Sequence, residues 1–441
     1  MAQVRARQDD AEAQDPPATG RNPYLNLLRT RGALAFSGSA FIARMPMAMY
    51  GLGTVLLIVS LTKRYGMAGT VAAAGSVGYA ICTPFVAQLA DRLGQRRVLR
   101  PLTAIFAVST VAFITCAELH GPFWALLVIG SLAGASMPST GSMVRTRWIA
   151  LLDGDSRRLH TAFALESVND ELIFVVGPAL VTVLATQFLP ASGIGTASLL
   201  CVAGTLLFAA QRGTEPAPRP RPHARPGPPR TLARRLARPA RPRIPAPGLI
   251  TLSPSFLLLG SMFATMDLST VAFASERGHR PLAGFILGTY ALGSAVGGLW
   301  YGTRQWRAPL GRRFLITMTL TVCGVATFWA MPGLLALDAV GFFAGLAIAP
   351  TLIAGYGILE RQAPPNRSTE GMAWLGSTIS VGVAVGSAVA GHIIDSRGAR
   401  AGFIFAAACG ALAVLVCLAG LGRLRAEPAE QPAELAKITS L

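Results

Sequence analysis

Three acids stand close together in an otherwise apolar stretch: Glu166, Asp170 and Glu171, in Glu166-Ser-Val-Asn169-Asp170-Glu171-Leu-Ile-Phe-Val-Val-Gly177-Pro178. An acid in hydrocarbon surroundings is costly to keep, and it persists where it meets a cation, a cavity or a proton. At helical spacing Glu166 and Asp170 share a face, and Glu171 lies about 100° round from Asp170. Two more charges, Arg44 and Asp267, lie inside other apolar stretches. The chemistry open to this set is ion pairing and reversible protonation. Arg44 can neutralise one of Asp170, Glu171 and Asp267 at a time, which leaves at least one carboxylate with a reason to bind a proton. These five residues are therefore the candidates for proton coupling and for lining a cavity. A purely structural ion pair is the alternative for Arg44 and Asp267. For Glu166, the acid nearest the start of its stretch, the alternative is solvation among lipid headgroups.

Other chemistry finds no footing. No nucleophile–base pair or metal-ligand cluster stands at a recognisable spacing, and the Gly-x-x-x-x-Gly-Lys-[Ser/Thr] phosphate loop is absent, so neither an enzyme nor a built-in ATPase is expected. Cys82, Cys116, Cys201, Cys323, Cys409 and Cys417 are scattered through apolar runs and predict neither disulfides nor a metal site. No cofactor is called for.

The elements that must hold the charges follow from composition. Of 441 residues, 52% are hydrophobic and only 14% charged, against about a quarter charged in soluble domains. An all-α integral membrane protein is expected. A bilayer core of about 30 Å needs about 20 apolar residues of helix. Twelve runs qualify, near 33–61, 68–90, 98–118, 122–146, 160–186 and 191–211, then 250–275, 282–303, 313–331, 333–358, 369–394 and 399–422. Asp170 and Glu171 fall about ten residues into the fifth run, roughly 15 Å deep at 1.5 Å per residue. Residues 1–24 lack the apolar core of a secretory signal.

The chain divides into a tail (1–32), a six-helix half (33–211), a linker (212–248), a second six-helix half (249–422) and a tail (423–441). The linker carries ten arginines and one acid and is dense in proline, a composition that cannot bury a core. Of the 39 basic residues only Lys63, Arg64, Arg277, Arg280, Arg397 and Arg400 lie in the loops of one side and Arg44 inside a helix. The rest lie in the tails, the linker and the opposite loops, Arg145 and Arg147 being placed in the loop between the fourth and fifth helices. By the positive-inside rule both termini and the linker are cytoplasmic. The net charge of +18 is spread over gaps between apolar runs, without the basic patch and interleaved aromatics that a nucleic acid would need. The halves also look duplicated. Gly78–Ala87 matches Thr289–Gly298 with Tyr79 over Tyr290, Gly38-Ser39-Ala40-Phe41 returns as Gly260-Ser261-Met262-Phe263, and Gly177-Pro178-Ala179 is echoed by Gly386-Ser387-Ala388.

Between the second and third runs the chain reads Ala87-Gln-Leu-Ala-Asp91-Arg92-Leu-Gly94-Gln95-Arg96-Arg97. This resembles the loop signature of the major facilitator superfamily, Gly-x-x-x-Asp-Arg-x-Gly-Arg-Arg. Asp91, Arg92, Gly94 and Arg96 match, while Ala87 and Gln95 depart. The resemblance implies two halves related by an axis along the membrane normal and alternating access to a midplane cavity. It also implies a conformational latch, in which Asp91 closes the cytoplasmic side against a helix N-terminus of the other half. In the fifth run Gly177-Pro178 resembles the core of the proton-linked exporters' motif, Gly-x-x-x-Gly-Pro-x-x-Gly-Gly, with Ile173, Val181 and Thr182 departing; small residues and a proline there also serve helix packing. The resemblance is thus to the drug/proton antiporter type. The expected function is efflux of a small, partly apolar compound coupled to protons. Import of a metabolite and a non-transporting sensor or scaffold are the alternatives. The excess of arginine over the two lysines, Lys63 and Lys437, points to a bacterial inner membrane.

Overall fold

The structure, a computed structural model, describes residues 23–152, 155–217, 247–304, 306–362 and 368–425. Among these residues twelve helices are long and apolar enough to cross a membrane: α1 (Ala33–Thr62), α2 (Tyr65–Leu93), α3 (Gln95–Glu118), α4 (Phe123–Leu152), α5 (Thr161–Gln187) and α6 (Ser192–Ala210), then α7 (Gly248–Glu276), α8 (Leu282–Thr303), α9 (Leu310–Ala330), α10 (Leu334–Gln362), α11 (Trp374–Arg397) and α12 (Ala399–Ala419). Helices are the form that lets an isolated segment pair all its backbone groups inside lipid. The fold is the expected one, an all-α membrane bundle of twelve spans.

Two breaks matter for the deep charges. α1 consists of Ala33–Arg44 and Pro46–Thr62. Pro46 has no N–H to give the Ile42 carbonyl, which instead accepts from Met45 at 3.3 Å. Arg44 thus ends a half-helix in mid-span. α4 pauses at Met137–Ser139, around Pro138, and resumes over Thr140–Leu152. This second piece corrects the expectation for Arg145 and Arg147. Both are helical rather than in a loop, because the apolar pattern fades at Arg145 while the helix continues for two more turns.

Six spans per half bring the described chain ends and residues 212–217 to one face, here the terminal face; the opposite one is the distal face. Between the halves, α2 packs along α11 and α5 along α8. The close contacts of this seam lie toward the distal face. A Cβ on Gly69 would strike the Ser387 carbonyl, one on Gly391 the Tyr65 carbonyl, and one on Gly284 the Pro178 carbonyl, so glycine is what lets these backbones touch. Asp395, at the end of α11, closes the seam. Its two carboxylate oxygens accept the backbone N–H groups of Tyr65 at 2.6 Å and Gly66 at 2.7 Å, the first residues of α2. Arg280, just before α8, donates to the Leu56 carbonyl of α1 at 2.9 Å.

On the terminal face the residues after α6 stay with the first half. Arg147, fully buried, donates to the Gln211 carbonyl at 3.2 Å, to Thr214 Oγ1 at 3.0 Å and to Gln95 Oε1 at 2.9 Å, and lies 3.7 Å over the Phe208 ring. Glu215 Oε1 accepts the Arg96 N–H at 2.9 Å. The remainder of the expected linker, 218–246, lies outside the described residues, as do 1–22 and 426–441 of the tails.

Candidate functional site

The break in α1 and the restart of α4 aim their charges at α5. The buried guanidinium of Arg44 uses all three of its nitrogens. Nη2 pairs with Glu166 Oε2, Nη1 donates to Asp170 Oδ1 at 2.7 Å, and Nε donates to the Ala40 carbonyl at 3.1 Å. Asp170 Oδ2 accepts from Arg145 Nη2 at 3.1 Å. The arginine fork suits this two-carboxylate bridge, which a single ammonium could not span in the same way.

Glu166 is wholly inaccessible, so the headgroup alternative fails. Its Oε1 accepts from Ser37 Oγ at 2.7 Å and Trp148 Nε1 at 2.9 Å, in addition to the Arg44 pair on Oε2. Three donors and no acceptor make this a seat for a carboxylate, its desolvation offset by hydrogen bonds. Trp148 is itself fixed edge-to-face on Phe36 with centroids 4.6 Å apart. Asn169 Nδ2 extends the network to Ser37 Oγ at 3.4 Å. The result is a chain of two acids and two arginines, Glu166–Arg44–Asp170–Arg145, in which the charges cancel.

Beside it lies a cavity of ≈ 200 Å³ walled by Arg44, Tyr79, Thr83, Ser142, Arg145 and Asp170, among others. Tyr79 lies within electrostatic reach of Asp170.

Glu171 stays outside the network. It is partly buried, takes part in none of the ion pairs among the described residues, and lies close enough to Asp170 for the two carboxylates to repel. Asp267 of α7 is likewise without an ionic partner among the described residues, an accessible carboxylate between buried Met266 and Leu268. Tyr290 of α8 lies within its electrostatic reach, and the buried Tyr290 hydroxyl has no hydrogen-bond partner among the described residues. The five deep charges therefore fall into a paired set, Arg44, Glu166 and Asp170, and an unpaired set, Glu171 and Asp267. Arg44 does not pair with Asp267, and it is not the sole deep cation, since Arg145 reaches Asp170.

Asp91 and Arg92 are exposed at the end of α2 and make no ion pair among the described residues. Gly94 turns the chain into α3 at a φ of 93°, a value that glycine adopts without strain. Gly177 lies against Ala48 and Met49 of α1, and the Pro178 carbonyl faces Gly284.

Reading the sequence missed Ser37, Arg145, Trp148 and Asp395. A signal existed for the first: Ser37 and Arg44 are seven apart, two turns along one face of a helix.

Known proteins share the fold that carries these residues. The sequence profile of the Major Facilitator Superfamily matches residues 36–304 and again 258–440. No curated protein matches at a significant level. Among solved structures, the POT family transporter PepTSo superposes with a TM-score of 0.66 at 14% identity, covering 90% of this chain and 98% of that one. The nucleoside transporter NupG gives 0.65 at 14%, covering 89% and 99%. A bacterial homologue of the iron transporter ferroportin, in its inward-facing state, gives 0.62 at 14%, covering 88% and 99%. With a profile matching nearly its whole length and twelve spans in two six-helix halves, the chain belongs to the Major Facilitator Superfamily, as a multi-pass membrane transporter.

Proposed function

We propose that this transporter exports a small, partly apolar compound in exchange for protons, working by alternating access in a bacterial inner membrane with both termini cytoplasmic. The observation that carries the reading is the division of the deep charges. Arg44, Arg145, Glu166 and Asp170 neutralise one another, whereas Glu171 and Asp267 have no cation among the described residues. A carboxylate that gains and loses a proton as the halves rock must be free of a permanent partner, and these two pair with no cation of the described residues. Glu171 touches the paired set through Asp170, so a proton on Glu171 relieves the repulsion on Asp170 and alters its hold on Arg44 and Arg145. Asp267 with Tyr290 is the counterpart in the second half. The test is substrate-stimulated proton flux in liposomes holding the purified protein, screened with small apolar cations, nucleosides and peptides. Proton movement opposite to substrate supports exchange; movement in the same direction converts the reading to import, and none with any substrate removes proton coupling.

The same reading gives opposite roles to two terminal carboxylates. Asp395 holds the distal seam shut on the N-terminus of α2, and Asp91, free here, is the latch of the other state, closing the terminal face with Arg92, Gly94 and Arg96 shaping its loop. A carboxylate at a helix N-terminus is worth roughly 0.3 to 2 kcal/mol. Asp395→Asn is therefore expected to raise the distal-open population by about two- to thirtyfold, and Asp91→Asn to lower it by a like factor. Thiol labelling of single cysteines placed at Ser387 and Thr182, side chains buried where α11 meets α2 and α5 meets α8, in a background without the native cysteines, reads both; shifts of the same sign in the two variants would refute the paired latches.

A further inference from the structure

We propose that a pocket on the terminal face, between the α2–α3 turn and the residues that follow α6, binds a phosphate-bearing anion, either the headgroup of an anionic phospholipid or a soluble phosphate. The pocket has a volume of ≈ 510 Å³ and takes in Arg96, Arg97, Arg100, Arg212 and Glu215. Arg100 and Arg212 approach Arg96 closely enough to repel it. None of the four arginines forms an ion pair among the described residues. The one carboxylate, Glu215, has an oxygen engaged by the Arg96 backbone N–H, and four arginines against one acid leave a charge of +3. The linker that follows adds no acid to the balance, for residues 218–246 hold nine arginines and neither Asp nor Glu.

Membrane orientation explains why arginines lie on this face, but not why Arg212 is brought back onto three arginines of α3. The structure invests in that return. Buried Arg147 anchors Gln211 and Thr214, and Glu215 ties to the start of α3, so the wall carrying Arg212 is held in place. Converging guanidinium forks match the oxygens of a phosphate, which accepts paired charge-assisted hydrogen bonds. Exposed Leu93, with Pro216 and Ala217, gives the pocket an apolar lip of the kind an acyl chain would lie on. An anionic leaflet concentrates such headgroups at this depth.

The experiment uses the full-length protein in detergent. Native mass spectrometry follows retention of phosphatidylglycerol and of phosphatidylcholine, and a second arm adds inorganic phosphate. Arg97→Gln/Arg100→Gln/Arg212→Gln is compared with Arg304→Gln/Arg307→Gln/Arg361→Gln, which removes the same charge elsewhere on this face. Selective retention of phosphatidylglycerol by the parent and the control, reduced roughly tenfold in the pocket variant, is expected. Loss of that retention on adding inorganic phosphate would identify a soluble phosphate as the ligand of the same site. Equal retention by both triple variants, or neither lipid selectivity nor phosphate binding, overturns the proposal. If the pocket triple is not monodisperse, Arg212→Gln alone, outside the membrane-spanning helices, is read by the same criterion with a smaller expected loss.

Discussion

Arg44→Met is expected to destabilise the protein by about 3–5 kcal/mol, the cost of removing one partner from a buried ion pair. Solvent screens little of this interaction, because the side chains of Arg44 and Glu166 are 2% and 0% accessible. The cost arises on the acid's side. Without the guanidinium, Glu166 keeps only the Ser37 hydroxyl and the Trp148 indole N–H, neutral donors that cannot cancel its charge. Asp170 suffers less, since Arg145 still holds its other oxygen. It follows that Arg44→Met/Glu166→Gln should recover much of the loss, the double change removing charge from both ends of the pair. Arg44→Lys should fall between, since one ammonium replaces a fork that serves two carboxylates and the Ala40 carbonyl. Thermal unfolding of the four purified proteins in one detergent decides the matter. A single variant as stable as the parent, or a double variant no better than the single, would show that the network does not hold the first half together.

The twelve spans and the deep charges were legible because lipid imposes one-dimensional rules. Run length fixes the number of helices, and any charge inside a run announces itself. Pairings were not legible, since they depend on helix rotation and on breaks that the apolar pattern conceals. Pro46 and Pro138 show the difference. Each is visible as a residue, but only the fold shows that one ends a half-helix at Arg44 while the other precedes a restart that carries Arg145 to Asp170 and Trp148 to Glu166. Asp395 was hidden for a further reason. Near a helix end an acid is cheaply solvated, so nothing in sequence distinguishes one in water from one that caps a helix of the other half.

Glu171→Gln is expected to abolish substrate-linked proton movement while leaving the protein folded, because no hydrogen bond or ion pair among the described residues depends on that side chain. The amide keeps the shape of a protonated carboxyl and cannot release a proton, so the variant should resemble one fixed protonation state at every pH. Transport that varies with pH in the parent should become flat in the variant, and substrate exchange that needs no net proton release should persist. Asp267→Asn is expected to act in the same direction, its carboxylate likewise pairing with no cation among the described residues. Asp170→Asn should behave differently. Asp170 bridges Arg44 and Arg145, so its loss leaves cationic charge uncompensated and lowers stability before it touches coupling. The contrast separates a carrier from a strut: proton flux in liposomes and unfolding in detergent, measured on the same three preparations, should rank Glu171→Gln worst for flux and Asp170→Asn worst for stability. Retention of coupled transport with an unaltered pH profile in Glu171→Gln and Asp267→Asn alike would place the coupling group elsewhere or show that protons do not drive this transporter.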